Sequence, residues 1–267
     1  MPEESIVDTS RPNAGRIYDY LLGGSHNFEV DRQAAEGLLQ RAPFLTKFTR
    51  LQRWALQDLA TQLTEQRGFD VIIDFASGLP TNDHIHHVVP TGTTVIYSDY
   101  DPVVVEYAHE LLTDTPNVYY FESDARRPDA LLNRAEVQQI LKGRRNVALV
   151  YWGISVFLPD EDLANIARTL YDWTDKRSCW AYNAQGADVN LEDPVVIQSV
   201  QFYKQMGTPV YIRPLSKHQE LVQPWHSDEK GFIPLLKWHG LDQSELSHED
   251  EKSFGPMGGG YGSYLVK

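Results

Sequence analysis

The sequence predicts an α/β protein with a largely parallel sheet, and three observations lead to this prediction. Short apolar runs alternate with amphipathic stretches from residue 71 onward. Three of those stretches begin with proline, which suits a first helical turn because its missing N–H would have no intrahelical partner there. The chain has 267 residues, of which 42% are hydrophobic, so it can bury a substantial core. Strands that alternate with helices imply right-handed crossovers and parallel pairing.

The apolar runs are typical of buried strands in length and composition. They are Val71–Phe75, Thr94–Ser98, Val118–Phe121, Val147–Tyr151 and Cys179–Asn183. The helical patterns between them are Asn82–Val89, Pro102–Leu112, Pro128–Leu141 and Pro159–Asp172. Ligands of such sheets bind outside the carboxyl ends of the strands, so the loops after these strands are the expected functional region.

The two ends of the chain extend this pattern. We expect residues 1–10 to be loosely held, and helices over Asp31–Gln40 and Phe44–Arg67. Residues 1–67 would form a helical extension and cofactor lid on a sheet domain of residues 68–267. In the C-terminal third we expect a helix over Leu191–Met206. Two strands, Phe232–Trp238 and Tyr261–Val266, would close the sheet as a hairpin.

Composition restricts the partners. The formal net charge is −13, and the densest basic run, Lys142–Arg145, is more typical of a solvated helix end than of a nucleic-acid surface. We find neither an apolar run that could span a bilayer nor a secretory signal. Cys179 is the single cysteine, so an internal disulfide is impossible. We therefore expect a cytoplasmic monomer or homodimer that acts on a small molecule, not on nucleic acid or a membrane.

The turn after the first predicted strand, Val71–Pro80, has the features of a nucleotide-binding loop. The strand ends at Asp74, and small residues then precede the next element. Small residues allow a ligand to approach the backbone closely. The dinucleotide pattern G-x-G-x-x-G is absent, and Asp74 would repel a pyrophosphate. It would attract an ammonium group, which favours a nucleoside that carries an amino-acid end.

Two further aspartates follow the next two strands at equal spacing. Asp99 could accept hydrogen bonds from both ribose hydroxyls, and Asp124 could accept one from the exocyclic amine of adenine. The alternative is that these side chains only cap the helices that follow. Taken together with Asp74, they match the polar parts of an adenosyl amino acid.

Three segments resemble the motifs of class I S-adenosylmethionine-dependent methyltransferases: DFASGLPT, YSDYDPVVVEYAHELL and ESDARRPDALL. More narrowly, the chain resembles a largely uncharacterised bacterial family with the N-terminal pattern R-x-Y-D-Y-x-L-G-G-x-x-N-x-x-x-D, here Arg16 to Asp31. The resemblance implies a Rossmann-like fold with a seven-stranded, mostly parallel sheet whose last strand is antiparallel. It also implies adenosylmethionine as cofactor and adenosylhomocysteine as product.

The resemblance carries over to individual positions. The methionine end of the cofactor would lie against Asp74, Ala76, Gly78 and Pro80. Asp99 and Tyr100 would contact the ribose and adenosine, Asp124 and Ala125 the adenine, and Tyr151 and Trp152 would form the pocket floor. Arg16, Tyr20, Gly23 and Gly24 would close over the carboxylate end, unless the motif only packs the N-terminal helices. Ala76 stands where most class I enzymes carry glycine.

Methyl transfer to a hydroxyl or an ammonium group needs a general base. His26 is the first candidate because it follows the glycine turn, and Tyr18, Asp31 and His218 are the others. His84 and His87 would share a helix face, but two ligands are too few for a structural zinc site, so we expect no metal.

The leading hypothesis is a methyltransferase that acts on an oxygen or nitrogen of a small molecule. A protein that binds adenosylmethionine as a sensor, without methyl transfer, is the main alternative. A nicotinamide oxidoreductase is a third, which the missing glycines and Asp74 disfavour.

Overall fold

The computed structural model describes residues 10–81, 83–241 and 259–267. Its centre is one sheet with the strand order β3-β2-β1-β4-β5-β8-β6, in which β7 also pairs with β8. The first five strands are parallel, and β8 runs antiparallel to β5. The strands are β1 (Val71–Phe75), β2 (Thr94–Asp99), β3 (Val118–Glu122), β4 (Ala148–Tyr151), β5 (Cys179–Gln185), β6 (His226–Ser227), β7 (Ile233–Pro234) and β8 (Gly260–Val266).

The five parallel strands confirm the predictions to within two residues at each end. They were predictable because β1, β2 and β4 are buried along their whole length and are therefore mostly apolar. The Rossmann-like α/β architecture with an antiparallel last strand is likewise confirmed.

The edge beyond β8 differs from the prediction. His226 pairs with Val266 in β6, and Ile233 pairs with Gly262 in β7, so both short strands follow β8 in one direction. The sheet therefore has eight strands, of which β6 and β7 are two short pairings along the outer edge of β8, where the resemblance implied seven strands. Within the predicted strand Phe232–Trp238, only Ile233–Pro234 is extended, and a short helix follows.

The helices are α1 (Ala14–Leu21), α2 (Glu29–Arg41), α3 (Leu45–Thr61), α4 (Pro102–Leu111), α5 (Pro128–Leu132), α6 (Ala135–Leu141), α7 (Asp160–Trp173), α8 (Pro194–Gln205), α9 (Leu215–Leu221) and α10 (Leu235–Trp238). A π-helical turn, Gln62–Gln66, continues α3. The prediction of one helix over Pro128–Leu141 is wrong, because it breaks into α5 and α6.

The predicted helix Asn82–Val89 is also wrong. The structure has only a 3₁₀ turn, Ile85–His87, and Asn82 itself lies outside the described residues, as do residues 1–9 of the predicted loose N-terminus and Gly258. The segment departs from a helix because the side chain of His84 accepts the N–H of Ile85 and its ring bonds to neighbouring elements. Those bonds hold the backbone away from a regular helical path.

The core lies on both faces of the sheet. One cluster joins the sheet to α7, and the other joins it to α3 and α4 through residues such as Leu59, Ile72 and Val104. Helix α3 is therefore one of the layers that cover the sheet. A third cluster joins α1 and α2 to side chains of α8. Over the described residues, none of the helices is long and apolar enough to cross a membrane.

Candidate functional site

The turn after β1 has two residues in the left-handed backbone region. Ala76 has φ +53° and Gly78 has φ +64°. Glycine adopts this conformation freely, whereas alanine is strained in it by about 1–2 kcal/mol. A Cβ added at Gly78 would meet no atom within 4 Å, so the backbone faces open space on that side. Pro80 is buried just beyond the turn.

Hydrogen bonds from three strands hold this turn. The Ser77 N–H donates to the Ser98 carbonyl at 2.8 Å, and the Ser77 hydroxyl donates to the Asp74 carbonyl at 2.7 Å. The Tyr120 hydroxyl donates to the Gly78 carbonyl at 2.7 Å. The turn is therefore fixed before any ligand binds, which favours close approach at low entropic cost.

His84 supports the same turn from the opposite side. Its Nε2 lies 3.0 Å from the Ser77 carbonyl, and its Nδ1 lies 3.0 Å from the Tyr97 hydroxyl. Burial holds the pKa of the His84 imidazole well below its ordinary value, so the ring is neutral. This histidine positions the loop. Within the described part of the chain, no group of three or more metal-ligating side chains occurs.

Asp99 lies beside the turn at the end of β2. One carboxylate oxygen accepts the Gly78 N–H at 3.1 Å, and the other accepts the Asp101 N–H at 3.0 Å. Burial raises the pKa of the Asp99 carboxyl to about 6, against the lowering effect of these two N–H groups. The group is therefore mostly ionised at neutral pH and retains lone pairs for hydroxyl donors.

Asp74 is the most deeply buried acid at this edge, with 2% of its surface exposed. Burial raises the pKa of its carboxyl to about 8. His84 Nε2, from the loop that follows β1, lies 4.0 Å from the Asp74 carboxylate, but that ring is neutral and supplies no positive charge. An ammonium group placed here would restore ionisation of Asp74.

Arg53 of α3 is a residue that the sequence analysis missed. Its side chain is 4% exposed, and its Nε and Nη1 atoms have no hydrogen-bond partner. It lies close enough to Asp74 and His84 to lower the pKa values of both. The sequence carried no signal for it, because a charged residue on an amphipathic helix is ordinarily assigned to the exposed face. Neighbouring Gln52 is also buried, and both of its amide atoms lack a hydrogen-bond partner.

Arg16 has a different environment from the predicted one. Its Nε donates to Asp31 at 2.8 Å, its Nη1 to Asp101 at 2.7 Å, and its Nη2 to the Arg11 carbonyl at 2.8 Å. Asp31 also accepts the N–H groups of Asn13 and Phe28. This geometry favours the alternative in which the N-terminal motif packs the helices.

The glycine turn is held by Asp19. Gly24 lies so close to this carboxylate that an added Cβ would meet it at 2.0 Å, whereas Gly23 has open space and φ +86°. Asp19 accepts the His26 N–H, and the His26 ring contacts Tyr107 of α4 edge-on at 5.1 Å.

The four candidate bases are engaged as follows. His26 Nδ1 is buried without a partner, and the Tyr18 hydroxyl donates to the Thr49 carbonyl. Asp31 belongs to the Arg16 network, and His218 Nδ1 lies 2.6 Å from the Tyr182 hydroxyl in a buried contact. The Tyr20 hydroxyl, predicted to face the cofactor, donates to Glu36 of α2 at 3.3 Å.

The predicted adenosine side is more open. Tyr100 is 57% exposed, and its hydroxyl accepts a hydrogen bond from Asn13 at 3.4 Å. Asp124 forms a surface ion pair with Arg126, whose Nε lies 2.9 Å and 3.0 Å from the two carboxylate oxygens. An adenine amine would therefore compete with Arg126 for this carboxylate.

The predicted floor residues lie on opposite faces of β4. Tyr151 is buried, and its hydroxyl donates to the Ala125 carbonyl at 2.8 Å, which ties this loop to β4. Trp152 packs on the α3 side, where its Nε1 donates to the Gln52 carbonyl at 3.0 Å. Only Trp152 therefore lies on the same side as α3.

The parallel sheet with its strand-end acids and open glycine turn has the architecture of class I methyltransferases. Residues 1–261 match the model of a family described as S-adenosyl methyltransferase, and the chain belongs to this family. A comparison with curated proteins finds no match.

Solved structures agree on the fold. A DUF574-family protein from Streptomyces avermitilis is 26% identical and has a TM-score of 0.85, with 97% of this chain and 99% of that chain covered. A candidate methyltransferase from Thermobifida fusca is 24% identical with a TM-score of 0.85 and covers 97% and 96% of the two chains. The magnesium protoporphyrin IX methyltransferase of Synechocystis, solved with bound adenosylhomocysteine, is 11% identical with a TM-score of 0.50 over 93% and 90%.

The residues at the turn fit adenosylmethionine, the cofactor of this family. Gly78 leaves its backbone open, Asp99 is an ionised acceptor beside it, and Asp74 is a buried acid without a cationic partner from its own loop. These features match a close-approaching nucleoside, its ribose hydroxyls and an ammonium group.

Proposed function

We propose that the protein is an adenosylmethionine-dependent methyltransferase that acts on an oxygen or nitrogen of a small molecule. The observation that carries the proposal is the fixed, open turn at Gly78, whose N–H donates to the carboxylate of Asp99. A rigid turn with an adjacent ionised acceptor suits a nucleoside whose ribose must be held in one orientation.

Each acid would contribute one contact to this binding. Asp99 would accept the ribose hydroxyls, Asp74 would hold the ammonium group, and Asp124 with Ala125 would meet the adenine. The cofactor supplies the reactive methyl group, and the protein supplies alignment and exclusion of water. Trp152, on the α3 side of β4, is the floor residue that we place nearest the acceptor.

The other assignments belong to the same proposal. The net charge of −13 favours a small-molecule acceptor over nucleic acid. Because Cys179 is the single cysteine, a reducing cytoplasm suits the chain. We place residues 1–67 in the cofactor site as well, in a monomer or homodimer.

Titration calorimetry tests the cofactor. We expect adenosylmethionine and adenosylhomocysteine to bind with one site per chain, and NAD and NADP to give no heat of binding. Binding of a nicotinamide cofactor without binding of either sulfur nucleoside would overturn the proposal.

A sensor that binds the cofactor without methyl transfer is the second candidate, and one observation favours it. Three of the four candidate bases already make structural hydrogen bonds: Tyr18, Asp31 and His218. Incubation with methyl-labelled cofactor and a metabolite extract separates the two functions. A labelled product supports the enzyme, whereas tight cofactor binding without any labelled product supports the sensor.

A further inference from the structure

We infer that Arg53 and Asp74 bind the two charged groups of the cofactor's amino-acid end, with Arg53 on the carboxylate. The inference rests on the proposed function, because it concerns how the same site recognises adenosylmethionine. It assigns a cofactor contact to α3, a helix in which the sequence predicted no site residue.

The state of the Arg53 side chain is the first observation. Its guanidinium is buried, yet Nε and Nη1 make no hydrogen bond. A buried cation without hydrogen bonds is costly, and native proteins retain one where a ligand or a partner completes it. A carboxylate is the group that matches the planar fork of a guanidinium best.

The surroundings of Arg53 are the second observation. The guanidinium lies 5.5 Å from the centroid of the Tyr18 ring, and its Nη1 lies 3.8 Å from Asp83, beyond hydrogen-bond range. The Asp83 side chain is half exposed to solvent, so its carboxylate does not neutralise the buried charge of Arg53. The guanidinium thus lies beside an aromatic ring, and its Nε and Nη1 atoms remain available as donors.

The relation of Arg53 to Asp74 is the third observation. Arg53 lies close enough to Asp74 to lower the pKa of that carboxyl, but the two side chains do not form an ion pair within 4 Å. A buried guanidinium and a buried carboxyl that lie near each other without an ion pair are complementary to a zwitterion, whose ammonium group would ionise the carboxyl. An α-amino acid carries both an ammonium and a carboxylate.

Arg16, the alternative arginine, does not offer this chemistry. All three of its nitrogen atoms already donate to Asp31, Asp101 or the Arg11 carbonyl. Two buried aspartates already neutralise the Arg16 charge, so a ligand carboxylate there would compete with both of them. Arg53 binds the carboxylate without any such competition.

Two adenosine ligands test the assignment: adenosylhomocysteine, which carries the amino-acid end, and 5′-methylthioadenosine, which lacks it. We expect Arg53→Gln to weaken adenosylhomocysteine about 10- to 100-fold, because it removes a charge-assisted hydrogen bond, and to change 5′-methylthioadenosine by less than about twofold. Arg53→Lys should restore part of the loss. Arg50→Gln, an exposed arginine of the same helix, is the matched control and should bind both ligands as the wild type does.

The outcomes separate the inference from the proposed function. If the wild type binds neither ligand, the proposed function fails. If the wild type binds both and Arg53→Gln binds adenosylhomocysteine equally well, the inference fails and the function stands. If Arg53→Gln loses both ligands to the same extent, Arg53 supports the fold and the inference also fails. Retained binding of 5′-methylthioadenosine shows that the variant is folded.

Discussion

The two N-terminal regions that carry buried arginines differ in how the charge is satisfied. At the start of α1, Arg16 is 3% exposed and all of its nitrogen atoms donate to protein oxygens. In the middle of α3, Arg53 is 4% exposed and two of its nitrogen atoms have no partner. The two arginines are therefore buried to the same extent, and they differ in how many of their nitrogen atoms form hydrogen bonds. The donors of Arg16 are engaged within the fold, whereas two nitrogen atoms of Arg53 are unused and can serve a ligand, as we propose.

The largest expected effect is on stability at Arg16. Arg16→Met leaves Asp31 and Asp101 buried without their cation, and we expect a loss of about 3–5 kcal/mol in the free energy of unfolding. Urea denaturation measures this loss. Arg32→Met breaks an exposed pair with Glu29 and should cost less than about 1 kcal/mol. Equal effects of the two variants would contradict the structural role of Arg16.

The next effect concerns binding at Asp99. Asp99→Ala removes the ribose acceptor and the bond that holds the Gly78 N–H, so we expect adenosylhomocysteine to bind about 10- to 100-fold more weakly. Calorimetry measures the change, and Asp114→Ala, an exposed aspartate, is the control. Unchanged affinity of the Asp99 variant would remove Asp99 from the site.

A smaller effect is the pH dependence of stability at Asp74. Its pKa in the folded protein is raised from 3.8 to about 8, so the unfolded chain loses this proton first. The contribution of the neutral carboxyl is therefore complete below the ordinary pKa and is lost as the pH rises through about 8. We expect the ligand-free protein to lose at least about 1 kcal/mol of stability between about pH 5 and about pH 9 from this group.

Asp74→Asn provides the comparison, because its amide does not titrate. Between about pH 5 and about pH 9, the free energy of unfolding of the wild type should fall relative to that of this variant. If the difference in unfolding free energy stays constant, Asp74 is ionised over the whole pH range. Its assignment as a neutral carboxyl that ionises when an ammonium group binds would then fail.

The smallest effect is expected at Ala76. Ala76→Gly removes the strain of an alanine in the left-handed region, which stabilises the folded state. Glycine also raises the conformational entropy of the unfolded chain, so the two effects nearly cancel and the free energy of unfolding should change by less than about 1 kcal/mol. Thermal unfolding and adenosylhomocysteine binding check this. A large loss of affinity would mean that the Ala76 methyl group contacts the cofactor.

Parallel strands such as β1 and β2 were predictable because burial on both faces makes their sequences mostly apolar. The short edge strands were not predictable, because a strand of two residues such as His226–Ser227 shows no periodic pattern in the sequence. The helix predicted over Asn82–Val89 failed because tertiary hydrogen bonds of His84 override local propensity.

The site shows the same division. Asp74, Asp99 and Gly78 lie at or just after strand ends, and the sequence predicts them as site residues from that position and from the family resemblance. Arg53 was not predicted, because a charged residue on an amphipathic helix is ordinarily assigned to the exposed face, and only the packed structure shows that it is buried.

A crystal structure of the complex with adenosylhomocysteine tests the central claim most directly. The account predicts the ligand carboxylate within about 3 Å of the Arg53 guanidinium, the ammonium beside Asp74 and the ribose hydroxyls on Asp99. A carboxylate bound elsewhere, with Arg53 still unpartnered, would contradict it.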